Sequence, residues 1–472
     1  MTIKSRPIYL LGIGGIAMGN LAGFLQEKGY PVAGSDRSLY SPMKEFLTAR
    51  NIPVRMPYAE ANVSAIRPDL AVIGNAIRAD NPEARWIVQS GTSYMSMPEA
   101  INHFMLNNHK SLVVAGTHGK STTAALLLWV LHQAGMDPSG FVGAIIKKEG
   151  KGYMHGSGPF AVIEGDEYDT AFFDKRPKFL HYNPFGAIVT GIEFDHADIY
   201  KDVYAIRKAF ESFVRLIPPE GVLVLRNEDP HADTLRKICR GKVVTYGLSE
   251  KADWRILSWD ADGRMSFMAL CHGHGKHYSF PLSLIGKHNA LNALAVVALL
   301  DALGIDLNRA IPGFATYPGL KRRQEILVFQ EDLILVDDFA HHPTAVTETI
   351  KALKAHFPER RLIAIFEPRT NTSKRAYFQD AYAEAFDGSE IVILKAPPDY
   401  NELPEKDRLN LPELAARLKD LRIDAHWALS SDEVVSICLR YLQKGDLVLC
   451  MSNGDMDGVP EKLSRSFRSR AG

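Results

Sequence analysis

The chain has 472 residues, a length that fits about three domains of roughly 150 residues each. With 46% hydrophobic, 23% charged and 9% aromatic residues it can bury several cores, which excludes a disordered chain or a disulfide scaffold. Its 55 basic residues balance 55 acidic ones, so the basic excess usual in nucleic-acid-binding or membrane-surface proteins is absent.

Four scattered cysteines (Cys239, Cys271, Cys438, Cys450) form no CxxC pair and read as thiols of a reducing compartment. The polar stretch 1–7 shows no signal peptide, and apolar runs such as 124–130 fall far short of the roughly 20 residues a spanning helix needs. These features predict a cytoplasmic protein with neither nucleic acid nor membrane as partner; a monomer or weak dimer is expected, although no feature of the sequence sets the oligomeric state.

In the first block, 1–108, residues 7–11 predict a strand, Gly12-Ile13-Gly14-Gly15 a tight turn, and 16–28 a helix closed by Gly29. A second strand, 31–34, ends at Ser35-Asp36. Strand, turn, helix, strand is a βαβ unit, whose parallel sheet must be covered on both faces. Gly12, Gly14 and Ala17 satisfy the relaxed fingerprint G-x-G-x-x-[GA], and Asp36 follows about 20 residues on, where an acid grips a ribose. Alone, this turn suggests an NAD-dependent dehydrogenase. The diphosphate of any nucleotide fits it equally, and Asp36 also reads as a plain solvent-facing acid at a strand end.

The second block, 109–316, opens with a strand at 111–115, a turn Gly116-Thr117-His118-Gly119-Lys120, and a helix at 121–134 closed by Gly135. Strands at 160–163, 187–190 and 222–225 each stop just before polar or acidic residues. Ligands in open α/β sheets bind beyond the carboxyl ends of the strands, so these ends should converge. A phosphate loop needs glycines for close backbone approach, a lysine for the β- and γ-phosphates and a hydroxyl for Mg²⁺. Gly116, Gly119, Lys120 and Ser121 supply them in a shortened version, since full spacing would place glycine at Val114. A second phosphate loop a hundred residues after the first glycine turn argues for two nucleotides. The run Cys271-His272-Gly273-His274-Gly275-Lys276-His277 is read as a hairpin tip rather than a zinc site, because its flanks alternate.

The pattern breaks at Ala315-Thr316-Tyr317-Pro318-Gly319, and the third block, 317–472, predicts strands at 333–336, 362–366, 390–394 and 447–451 with helices between. The basic tail 462–470 is read as a frayed, solvated terminus.

Six motifs then occur in order: Gly-Thr-His-Gly-Lys-Ser-Thr (116–122), Glu-Gly-Asp-Glu-Tyr-Asp (164–169), Glu-Phe-Asp-His (193–196), Gly-Lys-His-Asn-Ala-Leu-Asn (286–292), Lys-Arg-Arg (321–323) and Asp-Asp-Phe-Ala-His-His-Pro (337–343). Across nearly the whole chain this resembles the Mur ligases of peptidoglycan synthesis, in the branch acting first on UDP-N-acetylmuramate. The resemblance implies an α/β, three-domain architecture. A Rossmann-like domain binds the UDP-sugar, a central parallel-sheet phosphate-loop domain binds ATP, and a Rossmann-like C-terminal domain binds the amine. Two amines compete, free L-alanine and a preformed L-alanyl-γ-D-glutamyl-meso-diaminopimelate. Gly-Asn-Ala (74–76) with Asn81-Pro82, Glu-Tyr-Asp-Thr-Ala-Phe-Phe-Asp-Lys-Arg (167–176), Phe-Glu-Pro-Arg-Thr-Asn-Thr (366–372) and Met-Ser-Asn-Gly (451–454) look more like the tripeptide-adding members, which recycle peptidoglycan. Departures are Gly191, where the family has Asn, and Asp455-Met456-Asp457-Gly458 in place of a Gly-Gly-Phe-Gly-Gly-like run.

As the resemblance implies, Gly12, Gly14, Gly15, Ile16, Met18, Ser35, Asp36 and Asn75 bind the UDP-sugar. Gly116, Thr117, His118, Gly119, Lys120, Ser121 and Thr122 cradle ATP phosphates; His288, Asn289 and Asn292 serve the adenine, with Asn289 as a plain helix cap the structural alternative. Arg323 and Asp338, with His341 beside them, reach ATP when the domains close. Lys120, Glu164 and His196 are catalytic; Ser121, Glu164 and His196 hold Mg²⁺, although imidazole is an unusual ligand for so hard a cation. The bland alternative for His196 is a buried ring bonded to Asp198. Arg369, Ser452 and Asn453 take the amine substrate, Arg369 through bidentate bonds to a carboxylate. Outside the ligase class, a catalytically silent UDP-sugar sensor would not need to retain Lys120, Glu164 and His196 together.

Overall fold

Three large sheets follow one another along the chain, with a two-stranded antiparallel ribbon (Asp169–Ala171 with Asp174–Pro177) beside them, in a computed structural model that describes residues 6–260, 266–271 and 275–470. The first has five parallel strands in the order Val54–Arg55, Val32–Ser35, Ile8–Leu11, Leu70–Ile73, Ser93–Ser96. Its strand order reverses beside Ile8–Leu11, where ligands bind in open α/β sheets, and the Gly12–Gly15 turn sits at that strand's carboxyl end.

The central sheet has ten strands: Lys276–Pro281, Ser266–Cys271, Trp254–Asp260, Lys242–Gly247, Val222–Arg226, Pro184–Val189, Lys110–Ala115, Phe160–Gly165, Ser139–Ile146, Lys151–Met154. The seven from Trp254–Asp260 to Ser139–Ile146 are parallel, and the rest are added antiparallel at the two edges. The helices Lys120–Gln133 and Lys287–Ala302 are apolar almost all round and lie buried in one cluster on one face. That burial keeps the start of each helix, where the site residues lie, in a fixed place. The expected hairpin is present as Ser266–Cys271 paired with Lys276–Pro281; its tip, His272 to His274, lies outside the described residues.

The third sheet runs Glu325–Gln330, Leu333–Asp338, Asp446–Met451, Leu362–Phe366, Ile391–Lys395, Asp424–Ala428, parallel except for its first strand. Apolar clusters cover both faces. The tail corrects the sequence reading. Residues Val459–Arg470 form a helix, and Val459, Leu463 and Phe467, spaced four apart on one face, are buried against the sheet. Lys462, Arg465 and Arg468 point outward, which is why the segment reads as solvated. Among the described residues no helix is long and apolar enough to cross a membrane, and Cys239, Cys438 and Cys450 form no disulfide.

Candidate active site

The strand Lys110–Ala115 leads into the glycine loop, and its two sheet neighbours supply the loop's surroundings. Gly116 takes φ +135°, and a Cβ there would lie 2.1 Å from Thr190 Oγ1 at the end of the neighbouring Pro184–Val189 strand. Gly119 takes φ +76°, and a Cβ there would lie 2.8 Å from Asn292 Oδ1. Both positions therefore require glycine, for conformation and for space. The Thr117 hydroxyl bonds the Glu193 backbone (2.9 Å from its N–H, 3.2 Å to its carbonyl), and the Thr190 hydroxyl donates to His118 O (2.5 Å).

On the other side, strand Phe160–Gly165 sets Glu164 in register with Val114. The Ser121 hydroxyl donates to Glu164 Oε1 (2.6 Å), and the Gly143 N–H donates to Oε2 (2.8 Å). Burial and the neighbouring Asp166 carboxylate raise the pKa of Glu164. Lys120 Nζ sits 2.8 Å from Glu167 Oε2 and 4.0 Å from Asp166 Oδ1. Burial disfavours its charge, yet the two acids outweigh this and push its pKa up to about 12. Lys178 Nζ, 3.2 Å from Asp166 Oδ2, completes the charge balance.

His196 takes a left-handed backbone, φ +56°. Its Nε2 lies 3.2 Å from Glu167 Oε1 and 3.9 Å from Asp195 Oδ2. Burial opposes protonation of the ring, but Glu167 and Asp195 prevail and raise its pKa. The Asp198 alternative is overturned, since that carboxylate accepts instead from Asn371 Nδ2 of the third domain (2.9 Å). Glu167 therefore joins Lys120 to His196.

The third domain closes onto this cluster. Arg323 Nη2 reaches Ser121 Oγ (3.4 Å) and its guanidinium lies 4.5 Å from the Phe339 ring centre. Asp338 does not reach out with it. Its carboxylate is buried and accepts from Gln324 N–H (2.7 Å) and Ala340 N–H (2.8 Å), so in this conformation it braces the turn carrying Arg323. Burial raises its pKa. His341 lies beside it, with Nδ1 3.1 Å from Phe339 O, and burial lowers its pKa to about 4. His118 Nε2 and Thr344 Oγ1 meet on Glu193 Oε2 at 3.3 and 2.7 Å. His342, with its ring 4.5 Å from that of His118, places Nε2 3.3 Å from Phe194 O and accepts the Thr344 N–H at Nδ1. Both its nitrogens are thereby used by backbone, so these residues latch two domains.

Asn289 and Asn292 share a buried helix face against the loop, with Asn292 Nδ2 donating to Asn289 Oδ1 (3.3 Å) and Asn289 Nδ2 to Ile285 O (2.8 Å). The capping alternative for Asn289 is overturned, because the cap position is Gly286 and no side chain bonds there. His288 lies 3.5 Å from Gln324 Nε2, and burial lowers its pKa to about 4. Thr122 is buried at the start of its helix.

In the first domain the Gly14 N–H donates to Asp36 Oδ2 (2.7 Å), and Tyr58 OH donates to Oδ1 (3.3 Å). Asp36 is thus drawn over the turn rather than left facing solvent. Gly15 precedes the helix that Ile16 begins. Two expected ligands turn inward. Met18 packs in the core beneath Gly74, and the Ser35 hydroxyl donates to buried Glu83 Oε2 (2.5 Å). In each case the covered interior, beside the helix for Met18 and at the strand end for Ser35, has taken a side chain that the motif alone placed at the ligand. Asn75 Nδ2 bridges to Asp169 O of the central domain (2.5 Å).

Family models match in three stretches: a Mur ligase family catalytic domain over 7–109, a Mur ligase middle domain over 114–300, and a Mur ligase glutamate ligase domain over 322–454. A Haemophilus influenzae protein named UDP-N-acetylmuramate–L-alanyl-gamma-D-glutamyl-meso-2,6-diaminoheptandioate ligase is 34% identical over 97% of this chain and 98% of its own. The chain belongs to the Mur ligase family. A Halorhodospira halophila UDP-N-acetylmuramate–L-alanine ligase is 33% identical over 99% of this chain and 95% of its own. The solved murein peptide ligase of Psychrobacter arcticus superposes with a TM-score of 0.75 at 30% identity, covering 98% of each chain.

In this Mur ligase, sequence reasoning singled out Lys120, Glu164 and His196 but not Asp166, Glu167 or Lys178, which surround them. The available signal is the Glu-Gly-Asp-Glu-Tyr-Asp run, with three acids within four residues at the end of an apolar strand. Arg369 lies in the third domain with Nη1 2.6 Å from Asp455 Oδ1 and 3.4 Å from Glu367 Oε1, while the buried Ser452 hydroxyl donates to Glu367 Oε1 (3.1 Å). Asn453 follows, with a buried Oδ1.

Proposed function

We propose that this Mur ligase uses ATP and Mg²⁺ to join the lactyl carboxylate of UDP-N-acetylmuramate to the amino end of L-alanyl-γ-D-glutamyl-meso-diaminopimelate, in cytoplasmic peptidoglycan recycling. On this reading residues 1–108 bind the UDP-sugar, 109–316 bind ATP and 317–472 bind the amine. The observation that carries it is the meeting of Lys120, Ser121, Glu164, Glu167 and His196 in one cluster at the glycine loop, with Arg323 arriving from another domain. The likeness to the Haemophilus and Psychrobacter proteins supports the tripeptide as amine.

A carboxylate is a poor electrophile at neutral pH. Transfer of the γ-phosphoryl group to one of its oxygens, with ADP leaving, gives an acyl phosphate. The amine then attacks the carbonyl carbon, loses a proton and expels inorganic phosphate. Phosphoryl transfer needs mainly positioning and charge neutralisation. The loop N–H groups and Lys120 would hold the β- and γ-phosphates, Lys120 exchanging Glu167 for phosphate oxygens. The hard oxygens of Ser121 and Glu164, 2.6 Å apart, suit Mg²⁺, which neutralises phosphate charge when bound. His196 would serve a second ion or, protonated by its pairing with Glu167, the substrate carboxylate. Arg323 would add positive charge, and Asn289 and Asn292 would face the adenine.

Free L-alanine is the second reading, favoured by the 33% identity to the Halorhodospira ligase. Phosphate release with UDP-N-acetylmuramate, ATP and Mg²⁺, offering each amine separately, decides between them. Faster turnover with the tripeptide is expected. Preference for L-alanine contradicts the tripeptide reading, and no release with either contradicts a ligase.

A further inference from the structure

The Arg369 region holds more acid than it needs. Two cations, Arg369 and Lys395, face three carboxylates, those of Glu367, Asp455 and Asp457. Glu367 and Lys395 are fully buried and bonded to each other at 2.6 Å, and Ser452 donates to the same carboxylate. Neither can leave without stranding the other's charge. Asp457 lies 2.6 Å from Lys395. Asp455 is the remaining acid, 57% exposed and 2.6 Å from Arg369, so water can receive it.

The surroundings hold the guanidinium more closely than the acid, whose one further bond is a long one, Asp455 Oδ1 accepting the Asp457 N–H at 3.4 Å. Arg369 lies against Gly454, where a Cβ would come within 2.3 Å of its Cδ, and Arg322 Nη2 donates to Ser452 O (2.7 Å) and to Gly454 O. The acids are carried on a turn in which Met456 and Asp457 adopt left-handed backbone, φ +53° and +49°, uncommon for residues other than glycine. These two aspartates stand where the family resemblance places glycines.

We propose that Asp455 is an internal counter-carboxylate, seated on Arg369 in the free enzyme and displaced when a carboxylate of the amine substrate binds there. The inference rests on the reading of Arg369 as the anchor for that substrate. A substrate carboxylate replaces Asp455 like for like in charge-assisted bonds, whereas adding it beside Asp455 would set four carboxylates against two cations. Asp455 therefore raises the KM for the amine without touching the reacting atoms.

The test is steady-state kinetics of Asp455→Asn and Asp455→Ser, in parallel so that misfolding of one leaves the other, with Arg369→Lys alongside. Both Asp455 variants should lower the KM for the tripeptide about two- to fivefold, the size of a partly exposed ion pair, with kcat and the KM for ATP little changed. The gain should vanish for a tripeptide whose free carboxyls are all amides. Arg369→Lys should raise the tripeptide KM. An unchanged or raised KM in the Asp455 variants while Arg369→Lys still raises it overturns the displacement alone. A tripeptide KM unaffected by Arg369→Lys overturns the anchor reading and this inference with it.

Discussion

At the scale of single residues the glycine loop is the most demanding element. Gly116 combines φ +135° with a Cβ position 2.1 Å from Thr190 Oγ1, so any side chain must push the loop off its neighbour strand. Gly116→Ala should raise the KM for ATP by about tenfold or more, since small misplacement of phosphate-binding N–H groups is costly. It should also lower thermal stability by about 1–3 kcal/mol, as expected of a strained backbone. Wild-type ATP kinetics in this variant would remove the loop from phosphate binding. Gly116, Lys120 and Ser121 were legible because their requirements are local, set by adjacent residues on a strand–loop–helix turn. The partners of Lys120 were not, because Glu167 reaches it only through the pairing of Lys110–Ala115 with Phe160–Gly165, a register no linear spacing reveals. The inward turn of the Met18 and Ser35 side chains was hidden for a related reason. A motif gives a residue's place in a turn but not which way its side chain leaves its helix or strand.

At the scale of elements, periodicity located most strands and helices, and buried runs such as 124–130 sit in central helices as their composition demands. Short or edge elements were missed, among them Val54–Arg55 and Lys151–Met154, which carry too few residues for a period to register. That second strand matters. It faces the helix Ile16–Glu27, where Glu27 receives Lys151 Nζ at 2.8 Å and Tyr153 OH at 2.5 Å, beside an edge-on Phe24–Tyr153 contact. Burial works against ionised Glu27, but Lys151 and Tyr153 outweigh it and hold the carboxyl below its ordinary 4.5. A carboxyl lower in the folded than in the unfolded chain gives stability that is complete above its unfolded value and lost as pH falls through its folded one. Glu27→Gln should therefore cost about 0.5–1 kcal/mol near neutrality, after allowing for solvent screening. The gap in Tm to wild type should close as pH falls from the ordinary carboxylate range through the lower value that Glu27 has in the folded chain. A gap independent of pH would show that the loss is one of packing.

At the scale of the molecule, the third domain meets the central one largely around the loop, through Arg323 to Ser121, Thr344 to Glu193, Thr372 to the Ala197 N–H, and Asn371 to Asp198. Polar contacts of this kind open and re-form readily, which suits a site assembled from separate domains. The sequence showed three α/β blocks because strands and glycine turns recur. It did not show how the blocks dock, since docking is written in pairs such as Asn75 with Asp169 that lie 94 residues apart. All three domains matter to one claim, that a phosphoryl group passes from ATP to the sugar-borne carboxylate before the amide forms. Turnover with UDP-N-acetylmuramate labelled with ¹⁸O in its lactyl carboxylate, followed by mass analysis of the released phosphate, tests that claim directly. One labelled oxygen per phosphate is the expected result, and phosphate without label would contradict it.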